Sequence, residues 1–531
     1  MRDLAFEVMR DHGLTTVFAN PGSTEVPFLG GLPDDMRFVL GLHEGSVVGM
    51  ATGWAIARRK AAFVLVHTTA GLGNAVAALA TARVNRAPLV VLVGQQDRRH
   101  LAQEPFLAGR LEGLAGDYPV SVGQPVRAQD VPGALARARH EAEHAGGPAL
   151  VIVPMDDWLA HAPARHEIAA PARTLRGRAP DSEAVDRIAA LLEEARAPAL
   201  VVGAGADSPE AWAAVVALAE KLGCPVWQEA FGARAGFPQD HPQFAGHLPF
   251  DRARLRDVLA DRDAVLAVGA PVFRQYTYEA GPLTAEGTRM AVVTEDPAEA
   301  HRSPVELAVV AAPAAVCEAL AAIVSRRAAP AAPFLRRPAP APPPGPGEPL
   351  RAAHVLSALA ERLPPDAVVI EEAPSNRPEL LARLPARRPL GFLSAAGGGL
   401  GFGLPAAIGV RMALSDRPVV AVVGDGASMF AIQSLWSAAR YRVGALFVVL
   451  ANGGYAVMDL LADQQGQAAP WPGFGAIDIA AMARAQGCQA QRLERHDELV
   501  AALDEVVPRL GERDEPLLLE VMVAPDTDYS P

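Results

Sequence analysis

Asp425 and Asn452 set the first chemistry this chain could carry. Asp425 sits in Gly424-Asp425-Gly426, directly after the apolar run Val419-Val420-Ala421-Val422-Val423. Asn452 closely follows a second run, Leu446-Phe447-Val448-Val449-Leu450. A carboxylate and an amide offer hard oxygen ligands, which suit Mg²⁺ bridging to a phosphate. The neighbouring glycines let the backbone come close to that phosphate. Between the two runs, residues 428–441 read as an amphipathic helix with Met429, Ile432, Leu435 and Trp436 on one face. The order is strand, helix, strand, with a polar group at each strand C-terminal end, where ligands of open α/β sheets bind. A turn could use Gly-Asp-Gly alone; the flanking strands and the distant Asn favour the metal–phosphate reading.

A second group lies near the N-terminus. Glu44 follows the strand-like run 38–42 and opens a helix over about residues 45–58. Taken alone, a carboxylate there only complements the helix dipole. Asn20-Pro21-Gly22-Ser23 follows a run ending at Ala19, and His67 follows a run ending at Val66. These groups therefore share one edge of one predicted sheet with Glu44. His67-Thr68-Thr69-Ala70-Gly71-Leu72-Gly73-Asn74 places a histidine in a small-residue loop before a helix, a good site for a titratable group facing a pocket.

The elements that must position these groups read as α/β throughout. Residues 1–165 alternate helical segments with strands at 16–19, 38–42, 62–66, 89–93 and 149–153, the pattern of a doubly wound parallel sheet. Residues 180–327 repeat the style, with strands at 199–202, 225–228, 264–268 and 290–293. Residues 328–350 contain APAPPPGPGEP, which fits neither a central strand nor a helix and predicts an extended linker. Residues 351–531 form a third α/β unit carrying Asp425 and Asn452. The expected fold class is α/β, with three doubly wound parallel-sheet domains. In the middle unit Gly203-Ala204-Gly205-Ala206 is a poor dinucleotide fingerprint, since Ser208 stands at the third glycine position; a tight strand-to-helix turn is the favoured reading.

Composition sets outer limits. Half of the 531 residues are apolar and a fifth are charged, as in an ordinary soluble globular protein. The net charge of −12 disfavours nucleic acid and anionic membranes as partners. Asp3 and Glu7 interrupt any signal-peptide core in MRDLAFEVMRDHG, which reads as a helix. The nearest approach to a membrane span, residues 63–82, contains His67, Gly71, Gly73 and Asn74. Cys224, Cys317 and Cys488 are too widely spaced for a disulfide framework or metal site, and the expected location is a reducing cytoplasm.

Gly-Asp-Gly, a spacer, then Asn resembles the metal–diphosphate motif of thiamine-diphosphate enzymes. Further segments are similar to the benzoylformate decarboxylase family: Asn20 to Leu29, His43-Glu44, the His67 loop and Gly94-Gln95-Gln96. So are Val153-Pro154-Met155-Asp156-Asp157-Trp158, Gly269-Ala270-Pro271-Val272-Phe273-Arg274 and Ala395-Ala396-Gly397-Gly398-Gly399-Leu400-Gly401-Phe402. They run in the same order through all three units. The resemblance implies a pyrimidine-binding first domain and a diphosphate-binding third domain. Asp425, Asn452 and the carbonyl of Gly454 then match the Mg²⁺ ligands. Ser375, Gly426, Ser428 and Tyr455 belong to the cofactor-binding set. Gly398 offers a carbonyl to the aminopyrimidine, and Leu400 wedges the cofactor into its bent shape. Glu44 matches the carboxylate on ring nitrogen N1′, which favours the tautomer that activates the cofactor's C2. In this family the cofactor lies between two chains, so the resemblance implies that Glu44 serves the diphosphate site of the partner chain, in a homodimer at minimum and usually a homotetramer.

Ser23 and His67 match residues that contact the substrate carboxylate and move protons. One position departs from the family: ungapped alignment puts Tyr276 where a second catalytic histidine is expected. A phenol, with an ordinary pKa of about 10, is a poor shuttle at neutral pH. Three routes stay open: slow protonation, His67 serving both steps, or transfer of the intermediate to a second carbonyl. Phe106, Leu107, Val457, Met458 and Leu461 match the pocket wall, and their apolar character suits an aromatic or branched 2-oxo acid. Asp459 intrudes in this wall, and Arg98, Arg99 and His100 precede it and could recognise an acidic substrate instead. The expected activity is thiamine-diphosphate- and Mg²⁺-dependent decarboxylation of such a 2-oxo acid to an aldehyde and CO₂. The alternatives are a carboligase or acyl-CoA lyase on the same scaffold, or a non-catalytic subunit. Intact Glu44, Asp425 and Asn452 argue against the last.

Overall fold

Runs of valine, leucine, isoleucine and alanine that are buried at every position form the central strands, as parallel strands covered on both faces require. The computed structural model describes residues 1–168 and 180–526. The first sheet contains β1 (Thr16–Asn20), β2 (Arg37–Leu40), β3 (Ala62–His67), β4 (Leu89–Gln95), β5 (Ser121–Gly123) and β6 (Pro148–Pro154). Its order is β2-β1-β3-β4-β6-β5, with every pair parallel. The second contains β7 (Pro198–Val202), β8 (Val226–Gln228), β9 (Phe244–His247), β10 (Ala264–Val268), β11 (Arg289–Thr294) and β12 (Leu307–Val310), in the order β12-β11-β10-β7-β8-β9. The third contains β13 (Val368–Glu372), β14 (Phe392–Ser394), β15 (Val419–Gly424), β16 (Leu446–Ala451), β17 (Gln489–Leu493) and β18 (Leu517–Met522). Its order, β14-β13-β15-β16-β18-β17, repeats that of the first sheet strand for strand.

The expected α/β class and parallel sheets are present. Strands β5, β9, β12, β13, β14, β17 and β18 lie outside the expected set. Several of them are short or, like β17, polar along an edge. One expected element is broken. Residues 428–441 do not form one helix: a short helix Asp425–Ser428 is followed by turns and then by a helix Ser434–Arg440. The Ser428 hydroxyl donates to the Asp425 carbonyl at 2.7 Å, a local bond that competes with continuing the helix. Phe430, in the interruption, is 56% exposed. The proline-rich stretch has neither helix nor strand.

In doubly wound sheets the open crevice lies where strand order reverses. In the first sheet this is between β1 and β3, and in the third between β13 and β15. In the second sheet it lies between β7 and β10, and there it is filled. The Gly205 amide donates to the Gly269 carbonyl at 2.8 Å, and a Cβ on Gly205 would lie 2.8 Å from the Gly269 Cα. Ser208 caps the following helix through Ala211 N at 3.0 Å. The glycine pattern of the middle unit therefore serves a tight turn.

First and third units meet through two helices, Glu44–Arg58 and Gly403–Ala413. A Cβ on Gly53 would lie 2.2 Å from the Ala406 carbonyl oxygen, and one on Gly409 would lie 1.8 Å from that of Met50. Contacts advance together, from Gly49 against Pro405 to Arg58 bonding the Ala413 carbonyl, so the helices run parallel and share one N-terminal end. Arg411, 5% exposed, locks the other end by donating to the carbonyls of Leu414, Gly444, Gly511 and Arg513.

A stability contrast follows from this contact. Ala for Gly normally favours a helix by ~1 kcal/mol. Gly133→Ala, with nothing within 4 Å of its Cβ, should raise the urea midpoint. Gly409→Ala should lower it, with overpacking costing ~1–3 kcal/mol. An unchanged or raised midpoint for Gly409→Ala would show that the helices have room to separate.

Candidate active site

Glu44 is the first residue of its helix, with the ring of His43 at the N-cap accepting from Gly45 N at 3.0 Å. Its carboxylate is buried and held at both oxygens by amides: Asn20 Nδ2 donates to Oε1 and Asn74 Nδ2 to Oε2, each at 3.1 Å. No cation neutralises it among the described residues. Asn20 ends β1, and Asn74 lies on the helix Thr68–Val84. The carboxylate is thus aimed by two neutral donors, which orient it without forming an ion pair.

His67 ends β3, across the switch point from the loop after β1. Ser23, expected beside it, is exposed; the next two residues turn inward instead. Glu25, 1% exposed, takes the His67 Nδ1 at 3.0 Å and the Gly22 amide at 2.7 Å on Oε2. Thr24 Oγ1 donates to the other Glu25 oxygen and lies 3.0 Å from Nδ1. Two glycines make room: a Cβ on Gly94 would fall 1.5 Å from Glu25 Oε1, and one on Gly22 would fall 2.4 Å from the His67 ring. Directly after His67, Thr68 holds φ +38°, a strained conformation for a β-branched residue. Such strain clusters at functional sites. Glu25 was not among the expected residues; the glycines that approach it were the available signal.

At the other switch point, Asp425 Oδ1 accepts from Gly426 N at 2.8 Å and Oδ2 from Gly453 N at 2.7 Å. Asn452 Oδ1 accepts from Gly454 N at 3.0 Å. Burial pushes the Asp425 carboxyl above the usual range, and only backbone N–H groups oppose it. A buried carboxylate without a cationic side chain fits a bound metal ion. Among the described residues no three His, Cys, Asp or Glu groups cluster as a complete metal site. The ion would therefore be held by Asp425, amide and carbonyl oxygens, and oxygens of a bound phosphate. The Ser428 hydroxyl is fully buried and engaged with Asp425. Ser375 Oγ accepts from Val457 N at 3.2 Å, and the Tyr455 ring meets that of Phe474 edge-on at 4.9 Å. Gly398 has φ +70° in an exposed loop, and Leu400 is 39% exposed.

The expected pocket residues stand apart from the hydrophobic cores. Phe106 is 86% exposed, Leu107 has φ +65°, and Met458 is half-exposed on the helix Ala456–Gln464 beside Val457 and Leu461. Asp459 accepts from the Trp471 indole at 2.9 Å. Arg98 is engaged: it donates to buried Asp157 at 2.6 and 2.8 Å and to the Pro125 carbonyl. Arg99 pairs with Asp97. An acid-recognising role for the two arginines is thereby weakened. Tyr276 is 66% exposed, with its ring edge-on to Phe250 at 5.9 Å.

Comparison with known proteins places this geometry. Three family models match in sequence order: the N-terminal TPP binding domain of thiamine pyrophosphate enzymes over residues 1–110, the central domain over 185–320, and the C-terminal TPP binding domain over 379–521. The chain belongs to the thiamine pyrophosphate enzyme family. It is 40% identical to a benzoylformate decarboxylase of Pseudomonas aeruginosa over 97% of both chains. It is 25% identical to the acetolactate synthase isozyme 1 large subunit of Escherichia coli, over 97% of this chain and 92% of that one. The solved thiamine diphosphate-dependent 4-hydroxybenzoylformate decarboxylase of Rhodococcus jostii RHA1 superposes with a TM-score of 0.93 at 35% identity, covering 99% of each chain. No helix among the described residues is long and apolar enough to cross a membrane. All three cysteines are buried thiols, pushed up to about 12 by burial.

The Glu25–His67 bond has a direct readout. A carboxylate on Nδ1 holds neutral His67 as the Nδ1–H tautomer and leaves Nε2 as the exchanging atom. In selectively ¹⁵N-labelled protein, neutral His67 should show an unprotonated Nε2, and Glu25→Gln should mix the tautomers. A predominantly Nε2–H ring in the unmodified chain would contradict the pairing.

Proposed function

We propose that this enzyme is a thiamine-diphosphate- and Mg²⁺-dependent decarboxylase of an aromatic or branched 2-oxo acid, releasing CO₂ and an aldehyde. What carries the reading is the pairing of two switch points. One bears Glu44 and His67, the other a buried Asp425, unpaired with any cationic side chain among the described residues, beside Asn452. The resemblance to benzoylformate decarboxylases over nearly the whole chain supports the substrate class.

Bound thiamine diphosphate supplies a nucleophilic carbon for the keto group and an acceptor for the electron pair freed by CO₂ loss. Asp425, Asn452 and the Gly454 carbonyl would hold Mg²⁺ against its diphosphate. Gly426, Ser375 and Tyr455 line the approach, and Ser428 fixes the Asp425 turn from behind. Gly398 and Leu400 would receive the pyrimidine end. Glu44 would accept a hydrogen bond from N1′ and favour the activating tautomer. His67 Nε2 would move a proton near the substrate carboxylate, with Ser23 as a second polar contact. Phe106, Leu107, Val457, Met458 and Leu461 would wall the substrate and exclude water.

The cofactor would bridge two copies of the chain, in a homodimer or a pair of dimers. Support comes from large apolar side chains left exposed: Val26 at 62%, Leu42 at 47%, Phe430 at 56% and Met458 at 43%. A cytoplasmic location fits the inert thiols.

A panel of 2-oxo acids assayed for CO₂ and aldehyde tests the activity. Aromatic or branched members should turn over at least ~10-fold better than pyruvate in kcat/KM, a discrimination of ~1.4 kcal/mol. Chelation or Asp425→Ala should abolish turnover and release the cofactor. Turnover that survives Asp425→Ala with bound cofactor would remove the metal assignment.

Tyr276 favours a second reading, carboligation, because it replaces a group that titrates near neutral pH. Adding an aldehyde acceptor should yield ligated product alongside simple aldehyde. Tyr276→His should shift that ratio toward aldehyde several-fold. An unchanged ratio would mean that His67 already supplies the proton.

A further inference from the structure

The loop between β14 and the helix Gly403–Ala413 carries Gly398 and Leu400, and three separate elements grip its backbone. Asn85, buried at the end of the helix Thr68–Val84, donates to the Ser394 carbonyl at 3.0 Å and accepts from Ala396 N at 2.8 Å. Arg274 donates to the Ala396 carbonyl at 3.3 Å, while its Nε bonds buried Glu229 at 2.6 Å. Glu372 takes the far end of the loop. It is the last residue of β13, 5% exposed, at the switch point opposite β15.

Both carboxylate oxygens of Glu372 are committed to backbone. Oε1 accepts from Gly401 N and, at 3.3 Å, from Phe402 N; Oε2 accepts from Gly403 N at 2.6 Å. Those amides open a helix and would otherwise lack partners. The backbone is shaped for this approach. Gly401 holds φ +91°, and a Cβ on Gly403 would lie 2.9 Å from Oε2. Among the described residues no arginine or lysine pairs with Glu372; neighbouring Arg377 is bonded to Glu371 instead. Burial pushes the Glu372 carboxyl up to about 7, against the pull of the three amides.

We infer that Glu372 is a positioning residue for the cofactor, setting the Gly401–Gly403 turn and through it the placement of the Gly398 carbonyl and the Leu400 side chain. It takes no part in proton transfer, because its oxygens face the chain's own amides. This inference rests on the thiamine-diphosphate reading of the site.

The test uses the full chain and two variants. Glu372→Gln keeps the shape but turns an NH₂ toward backbone donors. Glu372→Asp keeps the charge and shortens the reach. Hydrogen–deuterium exchange without cofactor should speed up at least ~10-fold in peptides covering 398–403 of Glu372→Gln, and stay unchanged in the Glu44 helix. The Kd for thiamine diphosphate with Mg²⁺, read by tryptophan fluorescence, should rise by at least ~10-fold, with Glu372→Asp intermediate. Wild-type exchange or wild-type Kd in Glu372→Gln overturns the role. If Glu372→Gln does not fold, Glu372→Asp decides: a raised Kd supports the role, while a wild-type Kd or loss of folding overturns it. If the unmodified chain takes up no thiamine diphosphate, the site reading itself fails, and this inference falls with it.

Discussion

The contact between the Glu44 helix and the Gly403 helix is backbone against backbone, and the mutual placement of the first and third units depends on it. With Gly53 under the Ala406 carbonyl and Gly409 under that of Met50, neither helix can rotate or slide without collision. Because the helices run parallel, their N-termini stand at one end of the molecule. Glu44 begins one, and the loop of Gly398 and Leu400 leads into the other. Polar bridges, buried or partly buried, reinforce the junction: Ser434 donates to Ser46 at 2.9 Å, Leu40 N to the Tyr441 hydroxyl at 2.7 Å, and Ser437 to the Leu40 carbonyl at 2.8 Å. Each bond contributes ~1 kcal/mol net, and leaving any of these groups buried without a partner would cost more. The relative placement of the first and third units is thus set by sterics first and hydrogen bonds second.

On that frame the chain repeats one topology twice and uses each copy differently. The first sheet's crevice holds groups suited to moving protons, a carboxylate aimed by two amides and an imidazole oriented by a buried glutamate. The third sheet's crevice holds groups suited to an ion and phosphate. The middle sheet has a different strand order, and at its switch point Gly205 packs directly against Gly269. Glu44 and His67 on the one hand, and Asp425 and Asn452 on the other, are therefore divided between the two sheets that share one topology.

The strands and strand-end groups were legible because they depend on short-range patterns. Val419 to Val423 followed by Asp425, or Phe63 to Val66 followed by His67, announce both the strand and its polar end. Partners that arrive from elsewhere in the chain were not legible. Glu25 becomes a histidine partner only because Asn20 and Val66 are in register on adjacent strands. Arg98 looked like part of a free basic cluster, but its partner Asp157 lies 59 residues away. Glu372 follows an ordinary apolar run, and its three amide donors come from a turn some 30 residues later. The helix expected over 428–441 had the right periodicity, but periodicity does not register local side-chain bonds such as that of Ser428 to the Asp425 carbonyl at its broken start.

Tyr276 shows how a side chain can change on this frame while the fold stays the same. Two residues earlier, Arg274 is anchored by buried Glu229 and by the Phe231 and Ala396 carbonyls. Gln275 is held by Arg252 at 2.8 Å, and the Tyr276 amide donates to the Phe250 carbonyl at 3.1 Å. The backbone is thus fixed from inside, while the phenol projects outward with one edge contact to Phe250. A side chain so placed contributes little to packing, so exchanging imidazole for phenol costs little in folding. What it changes is the acidity of a donor presented from a rigid base. A substitution at this position therefore leaves the sheets and the contact between the Glu44 and Gly403 helices undisturbed.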